Sequence, residues 1–387
     1  MTIVLFDAHN RENFFPFTAT KAIAAMRFGI LTIQERWELL LNDSVFIQTE
    51  NYLQNFYPKF SDKEQIWIDA SIIPTPQLLQ QIQTLQPNEA IADELGLIAG
   101  KALIVNEILD FKNYNNYFKK VHASNNIERL KNPQQIFQQN YSFIQDDFTI
   151  IIKNKISQTI DTSNQVICPE NIFIEAGAHV HHTILNASTG PIYIGKNALI
   201  MEGSIIRGPF AMCENAVVKM GAKIYGATTL GKNVVAGGEI KNAIISDNSN
   251  KAHDGYLGDS IVGEWCNIGA GTSNSNIKNT AGAVTLWNQV SQRFENAGMK
   301  CGVMMGDYTR VTINSSINTG SIFGICCNVF GEGLLPKRIQ NFSWGKEKYR
   351  FEKAIQHIDN WKKLKGSFLT EEEKIILKFI FDKSLKN

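Results

Sequence analysis

Between Ile194 and Ala236 the chain repeats every six residues, a period that few folds produce. Blocks counted from Ile194 open on Ile194, Ile200, Ile206, Met212, Val218, Ile224, Leu230 and Ala236, so the same place is apolar throughout. The fifth place is small or apolar in most blocks: Ala198, Ser204, Phe210, Ala216, Ala222, Thr228 and Val234. Helices repeat at about 3.6 residues and lone strands at about two, so neither explains a strict six. Neither explains glycine at second or fourth places (Gly195, Gly203, Gly221, Gly231). A hexapeptide solenoid explains both. Each block is one flat side of a three-sided coil, and three blocks complete a turn. The first-place side chain then points inward, and full burial of one contributes roughly 1.5–3 kcal/mol. Backbone groups pair with the coils above and below, about 4.8 Å away.

Upstream, Ile174 and Val180 keep the step, and two extra residues around Ser188–Pro191 precede Ile194. Downstream, Val262 and Ile268 restart it two residues out of phase, so the stretch between Ala236 and Val262 is expected to leave the coil as a loop. A second interruption, about 274–304, holds Trp287, Arg293 and Phe294; the count resumes at Met305, Val311, Ile317, Phe323 and Val329 and stops at Pro336. The expected solenoid domain is therefore 161–335 with an insertion. Residues 1–160 differ in kind. IVLFDA and QIWIDASII read as buried strands, and Gln77–Thr84 and Pro133–Phe148 as helices, the latter started by Asn132–Pro133. Strands mixed with helices imply an α/β domain. Residues 336–387 form a helical segment, with Thr370 before three glutamates as a capping signal, expected to cover the solenoid's open edge.

Lysine plus arginine total 38 and aspartate plus glutamate 37. That balance leaves no broad basic field for a nucleic-acid backbone or an anionic bilayer, so neither partner is expected. No apolar run approaches a membrane span. The start, MTIVLFDAHN, reads as a buried strand and not a signal peptide. Six scattered cysteines without a CxxC pair read as reduced, mostly buried thiols of a cytoplasmic protein.

The stretch from Glu239 to Thr272 concentrates polar chemistry. His253 lies among Lys251, Asp254 and Tyr256, and an imidazole is the side chain suited to taking a proton from an attacking amine near neutral pH. Lys223 and Lys241 stand one full turn apart, which predicts that they stack on one face and that an anion such as a phosphate relieves their repulsion. His179, His181 and His182 form an outward cluster without a carboxylate or cysteine at ligand spacing, and solvated surface is the favoured reading. The aromatics around Trp344 are expected to seat the terminal helices.

KAHDGYLGD followed by NIGAGT resembles the acetyltransferase half of the bifunctional N-acetylglucosamine-1-phosphate uridyltransferase/glucosamine-1-phosphate acetyltransferase family, and EIKNAIISDNSN resembles its archaeal and alternative bacterial branch. The resemblance implies a sugar nucleotidyltransferase-like α/β domain followed by a left-handed parallel β-helix. It implies that His253 is the general base of acetyl transfer from acetyl-CoA. Lys223, Lys241 and Tyr256 would then contact the sugar phosphate, Asn267 the sugar and Asn276 the reacting groups. The backbone at Ala270 would lie along the pantetheine arm, with Lys278 near the coenzyme, although the family's usual Asn, DG and Lys run after NIGAGT is replaced by SNSNIKNTAGAVTLW. The family's arginine one turn before its lysine is here Lys223, which lacks a bidentate fork. Binding between subunits in that family implies a homotrimer.

For the first domain the resemblance implies nucleotide binding and Mg2+. The glycine-rich loop is degenerate, since no glycine precedes Gly29. PFTATK resembles the branch's shortened signature, Arg11 and Lys21 stand in for the basic pair, and Asp69 takes the place of a magnesium-binding aspartate. Three functions stay open at this point. One is acetylation of glucosamine-1-phosphate, with or without uridylyl transfer. A second is nucleotidyl transfer with a structural β-helix, and a third is a non-catalytic sugar-nucleotide binder.

Overall fold

A computed structural model of the chain describes residues 2–8, 10–60, 64–103, 108–124 and 127–385. Two compact units divide it: Met1–Phe14, Thr20–Met26 and Leu31–Asn132 form one, and Phe15–Ala19, Arg27–Ile30 and Pro133–Asn387 the other. The division falls at Asn132 and not near residue 160, because the helix Asn140–Ile152 packs with the solenoid. Asn140 Nδ2 donates to Ala227 O at 2.9 Å and to Thr229 Oγ1 at 3.1 Å. Gln139, at φ −101° and ψ 1°, separates this helix from Gln134–Gln138, where the sequence predicts one continuous helix.

The first unit is built on a six-stranded sheet of β1 (Thr2–Phe6), β2 (Val45–Gln48), β3 (Gln65–Asp69), β4 (Glu89–Asp93), β5 (Gly96–Ala102) and β6 (Lys120–Ala123). The order is β2-β1-β3-β5-β4-β6, with β1 parallel to both neighbours and β5 antiparallel to β3 and β4. Val4, Leu5, Trp67 and Ile68 are sealed in its core. β1 and β3 are thus the two strands read from IVLFDA and QIWIDASII. The helix Pro76–Thr84 starts on a Thr75 cap.

In the second unit the period of six becomes parallel coils. All eight first-place residues from Ile194 to Ala236, and all seven fifth-place residues, are buried. Successive turns pair eighteen residues apart, as in Ile192↔Phe210 and Leu199↔Val217. Met305, Val311, Ile317, Phe323 and Val329 line the same core. On one side of the coil the corner before the fifth place turns through left-handed backbone, which asparagine tolerates better than other side chains: Asn197, Asn215 and Asn233 occupy it, once per turn. Later coils put Trp265, Tyr308 and Cys326 there instead. The reason is packing. Lys362 Nζ of the terminal helix Phe351–Leu364 sits 5.0 Å from the Trp265 ring, and Tyr308 donates to Glu373 at 2.9 Å. The helices therefore lie along the flank of the coils as well as at their last turn, where Trp344 packs on Tyr349 at 4.7 Å and Phe342 on Phe381 at 5.1 Å. Thr370 caps the last helix with the expected reciprocal box to Glu373.

The expected loop between Ala236 and Val262 is instead solenoid. Strands Glu239–Ile245, Asn250–Lys251 and Tyr256–Val262 carry the coil through it. The phase shift is absorbed by shortened turns: Lys223 pairs with Glu239, Ala236 with Lys251, and Glu239 with Tyr256. Gly237 and Gly238 make the tight corner. A Cβ on Gly238, whose φ is +72°, would lie 2.7 Å from His253 O. The 274–304 region does leave the coil, as an antiparallel hairpin of Thr285–Asn288 and Arg293–Asn296. Trp287 and Phe294 meet edge-on within it, and the Arg338 guanidinium lies 3.8 Å over Trp287. All six cysteines are free thiols, five of them buried.

Candidate active site

The shortened turns decide which polar side chains meet. Because the register slips by two at Gly237–Gly238, Lys241 stands opposite Tyr225 and Lys223 opposite Glu239. The expected stack of Lys223 on Lys241 does not form, and no like-charge pair there calls for an anion between them. In its place Tyr225 donates to Glu239 Oε1 at 2.6 Å, and Lys241 Nζ lies 5.8 Å from the Tyr225 ring centroid. The bond to Glu239, with partial burial, pushes the Tyr225 phenol up to about 12.

One coil above, Tyr256 pairs with Glu239 and Gly258 with Lys241. A Cβ on Gly258 would lie 2.2 Å from the Tyr256 hydroxyl, so the phenol crosses over the glycine toward the Lys241 column. Asn276 donates to the Tyr256 hydroxyl at 3.1 Å and to Asp259, while Asn242 donates to the other oxygen of Asp259 at 2.7 Å. Burial, followed by the negative charges of Asp259 and its neighbours, raises the Tyr256 phenol well above its ordinary value. It is therefore a neutral hydroxyl, able to donate a hydrogen bond to an incoming oxygen. Lys241, Tyr256 and Asn276 are thus brought into one cluster with Tyr225, Glu239, Asn242 and Asp259, four residues the sequence reading did not single out. Asp259 had a signal, the GD after the tyrosine in YLGD. Tyr225 and Glu239 had none, because their pairing depends on the slipped register.

His253 stands at the corner that feeds Tyr256, and its side chain is exposed. The corner is held from both sides. Gly238 passes beneath it, and Gly271 N donates to Asp254 O at 2.9 Å from the coil above. Lys251 anchors it from within. Its side chain fills an inward place that apolar residues occupy in other turns, and Nζ donates to His253 O at 2.5 Å. Burial pulls the Lys251 amine from 10.5 down to about 8, opposed only partly by Asp254. Asn267 lies on the neighbouring flat face, paired with Asn250 and Arg310, and Ala270 sits at the next corner above His253. Lys278 belongs to the excursion after this coil, beside Lys337.

Lys251 makes stability depend on pH. Below about 8 the amine is charged in the folded and unfolded chain alike, and the cost of burying that charge is fully present. Between about 8 and 10.5 the unfolded chain binds more protons, so stability rises with pH. Lys365, also lowered to about 8 by burial, acts in the same direction. Measured against Lys251→Met, the wild-type denaturation midpoint is expected to climb across this range; the thiols of Cys301, Cys326 and Cys327, pushed up by burial, act in the opposite direction in both proteins and cancel from the difference. An unchanged slope in Lys251→Met would contradict the buried-amine assignment.

In the first unit the anticipated nucleotide and metal residues are engaged internally. Asp69 is fully buried; one carboxylate oxygen accepts from the Ser71 amide and hydroxyl at 2.8 Å each, and the other accepts from Arg129. Arg129 also grips Asp93 at 2.7 Å. Arg11 is buried against Asp7 at 2.8 Å and reaches the Lys21 carbonyl at 3.3 Å. Asp7 in turn accepts from Thr49 and from the Ile23 amide. Lys21 is half-buried. A pocket of about 300 Å³ opens near the carboxyl end of β1, lined by Phe6, Ala8, Leu97, Phe111, Lys112 and Tyr114 among others, and none of Arg11, Lys21 or Asp69 lines it. Among the described residues no group of three or more His, Cys, Asp or Glu side chains is placed to hold a metal, and no helix is long and apolar enough to cross a membrane.

Residues 3–156 match the family model for a sugar nucleotidyl transferase domain. That match lies wholly ahead of the parallel solenoid. The chain's curated relatives are bifunctional GlmU proteins. It is 26% identical to that of Synechococcus elongatus over 178 residues, covering 44% of this chain and 39% of the relative. It is 33% identical to that of Methanocaldococcus jannaschii over 130 residues, covering 33% and 31%. For Trichodesmium erythraeum the figures are 26% over 216 residues, 52% and 44%. The matches span less than half the length of each of these relatives. A solved Arabidopsis UDP-N-acetylglucosamine acyltransferase aligns at 13% identity over 51% of this chain and 76% of that one, with a TM-score of 0.26, too low to carry an argument. The family resemblance read from KAHDGYLGD and NIGAGT is borne out by these relatives.

Proposed function

We propose that the solenoid transfers an acetyl group from acetyl-CoA to the amine of glucosamine-1-phosphate. The observation that carries this reading is the cluster of Lys241, Tyr256 and Asn276 on one face, entered from the His253 corner. The amine nitrogen attacks the thioester carbonyl, a C–N bond forms and the C–S bond breaks. His253 takes the proton released by the amine, and the departing sulfur leaves as the coenzyme thiol after protonation. Lys223 and Lys241 supply positive charge for the sugar phosphate, as single ammonium groups without a fork. Tyr256 offers its neutral hydroxyl, and Asn276, fixed by Asp259, orients it. Asn267 contacts the sugar, the backbone at Ala270 runs beside the pantetheine arm, and Lys278 faces the coenzyme phosphates. Asn267 lies on a flat face adjacent to the cluster, which fits a substrate bound where two copies meet; the assembly we propose is a homotrimer in the cytoplasm.

The first domain supports uridylyl transfer less well. Asp69 is saturated by Arg129 and Ser71, and a magnesium ion there would have to displace a buried ion pair. The residues present do not fit the metal, and no step is assigned to it.

The test is release of coenzyme thiol from acetyl-CoA, dependent on glucosamine-1-phosphate. Lys241→Ala is expected to raise KM for the sugar phosphate about tenfold or more, as for loss of a charged hydrogen bond, with kcat changed much less. A KM unaffected by Lys241→Ala would remove Lys241 from the substrate site.

A further inference from the structure

On the flat face that carries Asn267, the outward column changes character along the coils. It runs Leu199, Val217 and Val235, then Asn250, Asn267, Arg310 and Asn328. The terminal helix Phe351–Leu364 passes over Arg310, with Trp361 5.5 Å from its guanidinium. Arg310 is only 7% exposed, yet Nε and Nη2 have no hydrogen-bond partner. These two N–H groups form one edge of the guanidinium, the parallel pair that grips a carboxylate or phosphate side-on.

Among the described residues no carboxylate is paired with that edge. The groups acting on Arg310 are Cys326, Tyr349 and Cys266. Burial keeps the Cys326 thiol far above its ordinary value and raises the Tyr349 phenol, so both are neutral. Acidic side chains of the terminal helices are committed elsewhere: Glu373 to Lys362 at 2.5 Å, Asp359 to Lys363 at 2.6 Å, Glu371 to Lys374 and Asp382 to Lys378. Glu352 and Glu372 are exposed. A buried cation whose fork is unpaired is costly, and an anion admitted beneath the terminal helix removes the cost.

We propose that Arg310, stacked under Trp361, is the anchor of an oxyanion site between the solenoid face and the terminal helix, taking a carboxylate or phosphate group. The site stands independently of the acetyl-transfer reading, because it rests on the unfilled fork alone.

The experiment is thermal unfolding of the full chain in sodium phosphate, sodium acetate or sodium chloride at matched ionic strength. Phosphate or acetate is expected to raise the midpoint saturably by a few degrees over chloride, and whichever does so identifies the tetrahedral or the planar anion as the better fit. Arg310→Lys keeps the charge but lacks the fork, and is expected to abolish the difference. Equal midpoints in all three salts, or an undiminished response in Arg310→Lys, would overturn the site and leave only water at the fork. If Arg310→Lys does not fold, the arginine Nε–H resonances of the wild-type chain decide. A buried Nε–H signal that shifts with phosphate or acetate supports the site, and no such shift overturns it.

Discussion

His253→Ala is expected to lower kcat/KM for acetyl transfer by about 100- to 10,000-fold, the range that a positioned general base supplies. The fold should be untouched. The side chain is exposed at a corner, and the corner itself is held by backbone contacts to Gly238 and Gly271 and by Lys251 donating to the His253 carbonyl, none of which needs the imidazole. Turnover should be followed as coenzyme thiol release, with an unfolding curve recorded on the same sample. Loss of activity with an unchanged melting midpoint fits the base role. Activity within threefold of wild type removes it.

The second large effect lies in the first domain. Arg129→Met is expected to cost that unit about 3–5 kcal/mol, the usual penalty for breaking a buried ion pair from one side. Asp69 has no exposed surface, and the substitution removes the guanidinium from which its second oxygen accepts. Asp93 loses its two-point contact at the same time. Denaturant titration, with unfolding of the first unit followed separately from that of the solenoid, measures the change. A shift below about 1 kcal/mol would mean that Asp69 is not committed to this pair, and the magnesium reading would regain its ground.

The solenoid was legible because its signal is strictly local: one inward residue every six, repeated until chance is excluded. The two strands IVLFDA and QIWIDASII and the Thr370 cap were legible for a similar reason, since each depends on a few neighbouring residues. The register through Gly237–Gly238 was not. A phase shift read from the sequence says that residues are missing or added, but it does not say whether they loop out or shorten corners. Counting eighteen residues from Lys223 reached Lys241, whereas two glycines allowed a tighter corner and brought Glu239 there instead. The Tyr225–Glu239 contact follows from that slip and could not be read without it. Asp69 shows the other limit. A strand-end aspartate looks the same in sequence whether it meets a metal or an arginine sixty residues away, and Arg129 carried no signal of its own. Lys251 was seen only as a polar neighbour of His253; its inward place follows from pairing with Ala236.

We propose that the slipped solenoid face, served by His253, acetylates an amino-sugar phosphate. Mass analysis of a mixture of the full chain with glucosamine-1-phosphate, acetyl-CoA, UTP and magnesium tests it most directly. The expected products are a sugar phosphate heavier by one acetyl group and an equal amount of free coenzyme thiol. An unmodified sugar phosphate, with acetyl-CoA intact and the protein folded, would contradict it.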